Sequence, residues 1–315
     1  MSTLLPENAV ELRDLTKTYA GRGKAPPKIA LKSINLVIPR GSMFGLLGPN
    51  GAGKSTLINI MAGLVRKSGG TAKIWGYDTA TQTRQAKSSI GVVPQELNLD
   101  AFFTPYELLE LQAGLYGVPK AERITAELLI AVGLTDQART YARTLSGGMR
   151  RRLMVAKAMV HQPPVLVLDE PTAGVDVELR RALWAYVREL NRKGTTVLLT
   201  THYLEEAEEL CDQIAIIDHG TLVANEPKSV LLQRLDSKEI TVTVGTDLVA
   251  LPDTLQDAGF ALLPPRQIRL RYKPSQTPIV QILATLQNAN LDIVDLATKE
   301  TDLEDIFLQL TRKTA

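Results

Sequence analysis

The sequence predicts a parallel α/β domain with an inserted helical region, followed by a small α+β domain. Three observations carry this. Short apolar runs alternate with helical patterns through most of the chain. A glycine-rich turn, Gly48 to Thr56, falls between one such run and one such helix. Near Asp236 the pattern changes to a second, shorter set of strands and helices.

Taken in order, Val10 to Leu15 reads as a first strand, and Lys24 to Lys28 as a basic turn. Ile34 to Ile38 alternates as a strand closed by Pro39-Arg40-Gly41. Phe44 to Leu47 is a buried strand, and Leu57, Ile60, Met61 and Leu64 follow with helical spacing. From Pro94 to Pro163 the pattern is mostly helical. Thr104-Pro105-Tyr106-Glu107 is a start signal, with a cap, a proline in the first turn and a capping-box glutamate. Ser146 begins another helix, which Pro163-Pro164 ends. Val165 to Leu168, Val197 to Thr200 and Ile214 to Ile217 read as buried strands. Between them Leu179, Leu183, Val187 and Leu190 mark one helix face that Gly194 stops.

The expected boundaries are 8–235 for the large domain, with its helical part at about 96–163, and 236–315 for the small one. In the latter, Ile240 to Val244 is a strand and Asp253 to Ala258 a short helix. Ala261 to Leu263 and Ile268 to Tyr272 form a hairpin across Pro264-Pro265. Pro278 to Asn288 is helical, Leu291 to Asp295 extended, and Leu303 to Leu310 helical after a Thr301/Glu304 capping box. This β-α-β-β-α-β order is ferredoxin-like.

Composition fits a soluble globular protein: 315 residues, 44% hydrophobic and 22% charged. A formal net charge of +2 gives no ground for nucleic-acid binding. The run Arg150-Arg151-Arg152 reads as a solvated helix face. One cysteine, Cys211, excludes a disulfide framework and a cysteine-rich zinc site, and reads as a buried helix residue in a reducing compartment. The first residues lack a basic start and apolar core, and no window reaches about 18 apolar residues. A role at a membrane is therefore expected to run through a partner.

Gly48-Pro49-Asn50-Gly51-Ala52-Gly53-Lys54-Ser55-Thr56 satisfies the phosphate-loop pattern. Glycines let the backbone turn its N–H groups onto phosphate oxygens, and the following helix adds its positive end. Lys54 is expected to reach the β- and γ-phosphates, Ser55 to ligate Mg²⁺, and Thr56 to donate to a neighbouring phosphate. Such a loop needs an acid on a second strand. Val165 to Glu170 supplies Asp169 beside the metal and Glu170 as candidate base or water-orienting residue.

Leu145-Ser146-Gly147-Gly148 matches the signature of ABC ATPases and lies just before the strand carrying Asp169. With the phosphate loop upstream, the chain over residues 8–230 resembles this family. The resemblance implies ATP as ligand with Mg²⁺. It also implies a head-to-tail dimer in which Ser146, Gly147 and Gly148 address the γ-phosphate held by the other subunit. Gln95, alone a solvated loop residue, then resembles the glutamine loop that touches Mg²⁺ and the attacking water. Asp176 resembles the aspartate at the dimer interface, with Val175 in place of the commoner leucine. His202 resembles the switch histidine on the γ-phosphate, and Tyr19 the aromatic that stacks on adenine. Met149 departs from a common glutamine. His161 and His219 have no such context and read as ordinary surface or core histidines.

Within the family, PTAGVD, THYLEEAEELCD and the final LEDIFLQLT resemble drug- and polysaccharide-exporter ATPases of the daunorubicin-resistance type. That resemblance implies an ATP-hydrolysing motor, read as a homodimer, on the cytoplasmic face of the cell membrane. It would energise a separate polytopic permease. An importer ATPase, or a soluble ABC ATPase in translation or repair, is the alternative.

Overall fold

The computed structural model describes residues 5–312 except 22, 24–25, 97, 173–174, 176, 234–237, 290 and 301. The chain divides into two units, one running to Lys228 and one from Ser229 to Lys313.

In the first unit β1 (Asn8–Tyr19) and β2 (Lys28–Pro39) pair antiparallel. They are followed by β3 (Met43–Leu47), α1 (Lys54–Met61), β4 (Gly69–Ile74), β5 (Tyr77–Asp78), α2 (Thr83–Ser88) and β6 (Ile90–Val93). The inserted helices are α3 (Pro105–Leu115), α4 (Thr125–Ala131) and α5 (Gly147–Met159). β7 (Val165–Asp169), α6 (Val177–Arg192), β8 (Thr196–Thr200), α7 (Leu204–Leu210), β9 (Gln213–Asp218) and β10 (Thr221–Pro227) complete the unit. α8 (Lys228–Gln233) lies where the chain divides.

Two sheets result. One is antiparallel, in the order β2-β1-β4-β5. The other runs β10-β9-β3-β8-β7-β6 and is parallel except for its edge strand β10. β3 and β8 are buried at every residue, as strands covered on both faces must be. One apolar core, including Leu12, Leu36, Phe44, Leu57, Val167 and Leu198, joins both sheets to α1. In an open parallel sheet, ligands bind beyond the carboxyl ends of the strands. Here those ends are Leu47, Val93, Asp169 and Thr200, and each leads into a predicted site segment.

Local signals held. Thr104 Oγ1 accepts from the Glu107 N–H at 3.2 Å, and Glu107 Oε2 accepts from the Thr104 N–H at 2.9 Å. Ser146 caps α5 by accepting from the Met149 N–H at 3.2 Å.

Three expectations are corrected. β1 and β2 are each 12 residues long, and β4 and β5 extend their sheet. The first helix ends at Met61, because Gly63 takes φ +67°, and Leu64 is 72% exposed rather than on a helix face. The arginine run is not a solvated face. α5 is enclosed by α3, α4 and β6, so its basic side chains turn onto carbonyls. Arg150 Nε donates to Leu145 O at 2.9 Å, Arg152 Nη1 to Val132 O and Gly133 O, and Arg151 is 5% exposed. Lys24, the boundary at Asp236 and Thr301 of the last capping box lie outside the described residues.

The second unit contains β11 (Lys238–Val244), α9 (Asp253–Asp257), β12 (Ala261–Leu263), β13 (Gln267–Tyr272), α10 (Ile279–Asn288), β14 (Ile293–Glu300) and α11 (Leu303–Arg312). Its antiparallel sheet has the order β12-β13-β11-β14, and its own core includes Ile240, Val242, Ile268, Leu270, Ile282 and Leu286. Among the described residues, no helix is long and apolar enough to cross a membrane.

His161 packs inside the first unit. Its ring stacks on Tyr116 at 3.6 Å, and Nε2 lies 3.2 Å from Ile90 O. Burial pulls its pKa down to about 4. Between there and the ordinary value of about 6.5, the unfolded chain holds a proton that the folded chain does not. The His161 contribution to stability should therefore be level above about pH 6.5 and fall as pH drops toward about 4. Denaturant midpoints across that window should show a weaker fall for His161→Phe than for wild type. Identical slopes would contradict it.

Candidate nucleotide site

The loop after β3 needs glycine where backbones meet. A Cβ at Gly48 would lie 2.2 Å from Ile217 O, and one at Gly53, with φ +116°, 2.8 Å from Ala30 O. Lys54 opens α1 and turns back over the loop, donating through Nζ to Gly48 O at 2.5 Å and Pro49 O at 3.2 Å. Burial draws its pKa down, while the charges of Glu170 and Asp169 oppose that. A buried lysine at a helix N-terminus, beside a glycine-rich turn, is suited to an anion.

The cleft around Lys54 is lined by Tyr19, Lys28, Ala30, Asn50, Gly51, Gly53, Ser55, Thr56, Gln95, Asp169 and Glu170. Tyr19, at the end of β1, places its hydroxyl 3.4 Å from Thr56 Oγ1, and Lys17 Nζ lies 4.7 Å from its ring centre.

The acids stand at the end of β7. Asp169 pairs with Thr200 in the β7–β8 ladder, and the Thr200 hydroxyl donates to Asp169 Oδ1 at 2.5 Å. Burial pushes the Asp169 carboxyl above its ordinary value, and the Glu170 charge adds to this. The Thr200 hydroxyl, Lys54 and Arg151 pull it back. Glu170 takes a left-handed φ of +48°, a conformation costing roughly 1–2 kcal/mol for a residue with a Cβ. Its N–H holds that turn by donating to Thr200 O at 3.0 Å and Thr200 Oγ1 at 3.2 Å. Adjacent acids thus point in different directions.

Two groups converge on Glu170. Gln95 Nε2 donates to Oε2 at 2.8 Å, and His202 Nδ1 lies 3.3 Å from the same oxygen. Behind them sits buried Glu206. Its Oε2 accepts from Thr172 Oγ1 and Thr201 Oγ1, both at 2.9 Å, and Arg180 Nε stands 3.5 Å from Oε1. The segment after Glu170 and the segment bearing His202 are thereby tied to one carboxylate.

The structure thus gathers the phosphate loop, Tyr19, Gln95, Asp169, Glu170 and His202. Ser146, Gly147 and Gly148 sit at the N-terminus of α5 and do not line this cleft. Asp176 lies outside the described residues. Thr200, Lys28, Glu206 and Arg151 were not singled out as site residues. For Thr200 the doublet Thr200-Thr201 before His202 was the available signal.

The ABC transporter family matches residues 31–173. The linearmycin resistance ATP-binding protein LnrL of Bacillus subtilis is 36% identical, over 91% of this chain and 95% of its own length. The daunorubicin/doxorubicin resistance ATP-binding protein DrrA of Streptomyces peucetius is also 36% identical, over 97% and 93%. A dimeric ATP-binding cassette in a post-hydrolysis state with ADP and Pi superposes with a TM-score of 0.63 at 29% identity, over 70% of this chain and 98% of that one. The chain belongs to the ATP-binding proteins of ABC transporters. It binds ATP, and its activity is ATP hydrolysis.

Thr200→Val keeps the shape of the buried side chain and deletes the hydroxyl shared by both acids. ATP turnover should fall about tenfold, with nucleotide affinity nearly unchanged, since small misplacements near reacting groups cost rate before binding. Steady-state hydrolysis beside nucleotide titration checks this. Unchanged turnover would contradict it.

Proposed function

We propose that this chain is the motor of an exporter, hydrolysing ATP at Glu170 to drive a separate polytopic permease from the cytoplasmic face of the membrane. The observation that carries the chemistry is the convergence of Gln95 and His202 on one oxygen of Glu170, beside the phosphate loop. Export is supported by what the relatives are named for. Two are drug-resistance ATP-binding proteins, and another, 36% identical, is the Nod factor export ATP-binding protein I of Ralstonia nicotianae.

The loop N–H groups from Gly48 to Thr56 and Lys54 hold the β- and γ-phosphates, and Tyr19 stacks on the adenine. Ser55 offers a hydroxyl, Gln95 an amide oxygen and Asp169 a carboxylate in one cleft. These hard oxygen donors suit Mg²⁺ that arrives on substrate phosphates. Held by these residues, Mg²⁺ would supply charge neutralisation for the substrate phosphates. Glu170 takes the proton from the attacking water. Gln95 and His202 fix the carboxylate for that step, and His202 also faces the γ-phosphate.

Ser146 and Gly147, both exposed, and Gly148, partly buried, present a capped helix start away from their own cleft. They complete the cleft of a second copy, closing a head-to-tail homodimer with Asp176 at its interface. Exposed apolar side chains at Phe102, Tyr106, Leu111 and Leu115, on and just before α3, give a protein partner something to hold.

Glu170→Gln should bind ATP as tightly as wild type and hydrolyse it at least ~100-fold more slowly, as loss of a general base does. It should also accumulate as a closed dimer with ATP. Turnover at the wild-type rate would remove Glu170 from the role of base. A pull-down from native membranes should recover a polytopic protein without a solute-binding protein. Ribosomal or repair components in its place would overturn the transport reading.

A further inference from the structure

Arg151 is unaccounted for by the chemistry above. It lies about one turn into α5, the helix that Ser146 caps. Its guanidinium is buried, and its hydrogen bonds go to carbonyls: Nη1 donates to Pro94 O at 3.0 Å and to Gln95 O at 2.9 Å. A buried cation is costly unless hydrogen-bonded, and an arginine does not escape by losing its proton. Here that cost is met by two consecutive peptide oxygens of one short segment. A single nitrogen bridging both fixes the orientation of the Pro94–Gln95 peptide. Burial lowers the pKa of Arg151, and the charges of Asp169 and Glu170 oppose this, so the cation also sits within electrostatic reach of both acids.

The Gln95 side chain leaves from the same residue whose carbonyl Arg151 holds, and its Nε2 reaches Glu170 Oε2 at 2.8 Å. The connection is therefore continuous. It runs from Ser146, through the first turns of α5, to Arg151, to the Pro94 and Gln95 carbonyls, to the Gln95 amide and to Glu170. Arg150 bonds Leu145 O just before the helix, and Arg152 anchors α5 to the Val132 and Gly133 carbonyls. Arg151 alone of the three turns toward the cleft.

We infer that Arg151 is a positioning residue for hydrolysis: by clamping the Pro94 and Gln95 carbonyls it sets the Gln95 amide against Glu170 and ties that contact to the Ser146 end of α5. A helix displaced when its Ser146 end engages nucleotide carries Gln95 with it. The inference rests on the reading of Gln95 and Glu170 given under Proposed function.

The test is a double-mutant cycle in the full chain, with Mg²⁺ and ATP. The variants are Arg151→Gln, Arg151→Lys, Gln95→Ala and each Arg151 change combined with Gln95→Ala. Turnover, KM and melting temperature are measured together. Arg151→Gln should lower kcat about 10- to 100-fold with KM little changed, as a misplaced catalytic group does. Arg151→Lys should recover part of the loss. In the Gln95→Ala background either Arg151 change should cost no more than about twofold further, because the two residues act through one contact. An equal fold loss with and without Gln95 would show that Arg151 only supports the fold, and would overturn the inference. If Arg151→Gln does not fold, the Arg151→Lys cycle decides by the same comparison. Undiminished kcat in Gln95→Ala would instead overturn the underlying reading of Gln95.

Discussion

Two neighbouring carboxylates at the end of one buried strand repel each other, and the site depends on how that repulsion is contained. Thr200, on the adjacent parallel strand, bonds to both Asp169 and Glu170. Its hydroxyl donates to Asp169, and its carbonyl and hydroxyl accept from the Glu170 N–H. The left-handed turn at Glu170 then sends the second carboxylate toward Gln95 and His202. The Lys54 and Arg151 cations offset the two acids, and the acids in turn oppose the cost of burying both cations. Four parallel strand ends meet at this spot, and the sheet order that places β7 between β6 and β8 brings Gln95 and His202 to Glu170 from opposite sides.

What the sequence made legible was local. The phosphate loop is read from nine consecutive residues because glycine spacing and a helix start are short-range facts. The caps at Thr104 and Ser146 are read for the same reason. Buried parallel strands announce themselves as uninterrupted apolar runs, so β3, β7, β8 and β9 were found. The acids were placed because one follows such a run directly. What stayed hidden depends on distant partners. Thr200 lies 31 residues from Asp169, and Arg151 lies 56 from Gln95. Neither contact leaves a local pattern. Arg151 looked like solvent-facing charge because charge runs usually are, and only the enclosure of α5 reverses that. Leu64 shows the opposite error: it kept the helical spacing after Gly63 had ended the helix.

The signature residues show how far one chain goes toward a complete site. Ser146, Gly147 and Gly148 form a capped helix start, yet their own cleft does not contain them. In the proposed dimer the cleft of each copy would meet the α5 start of the other, a reciprocal exchange that makes the interface isologous and closed at two copies. In that proposed dimer the inferred Arg151 clamp would link the α5 start to the Gln95–Glu170 contact.

The most direct measurement is the specific ATPase activity of the wild-type chain across protein concentration, with the monomer–dimer distribution measured by sedimentation in the same buffer with Mg²⁺ and ATP. If Ser146 to Gly148 of one copy complete the cleft of another, activity per chain tracks the dimer fraction and vanishes on dilution to monomers. Constant activity per chain down to fully monomeric protein would show that one chain carries a complete site, and would contradict the account.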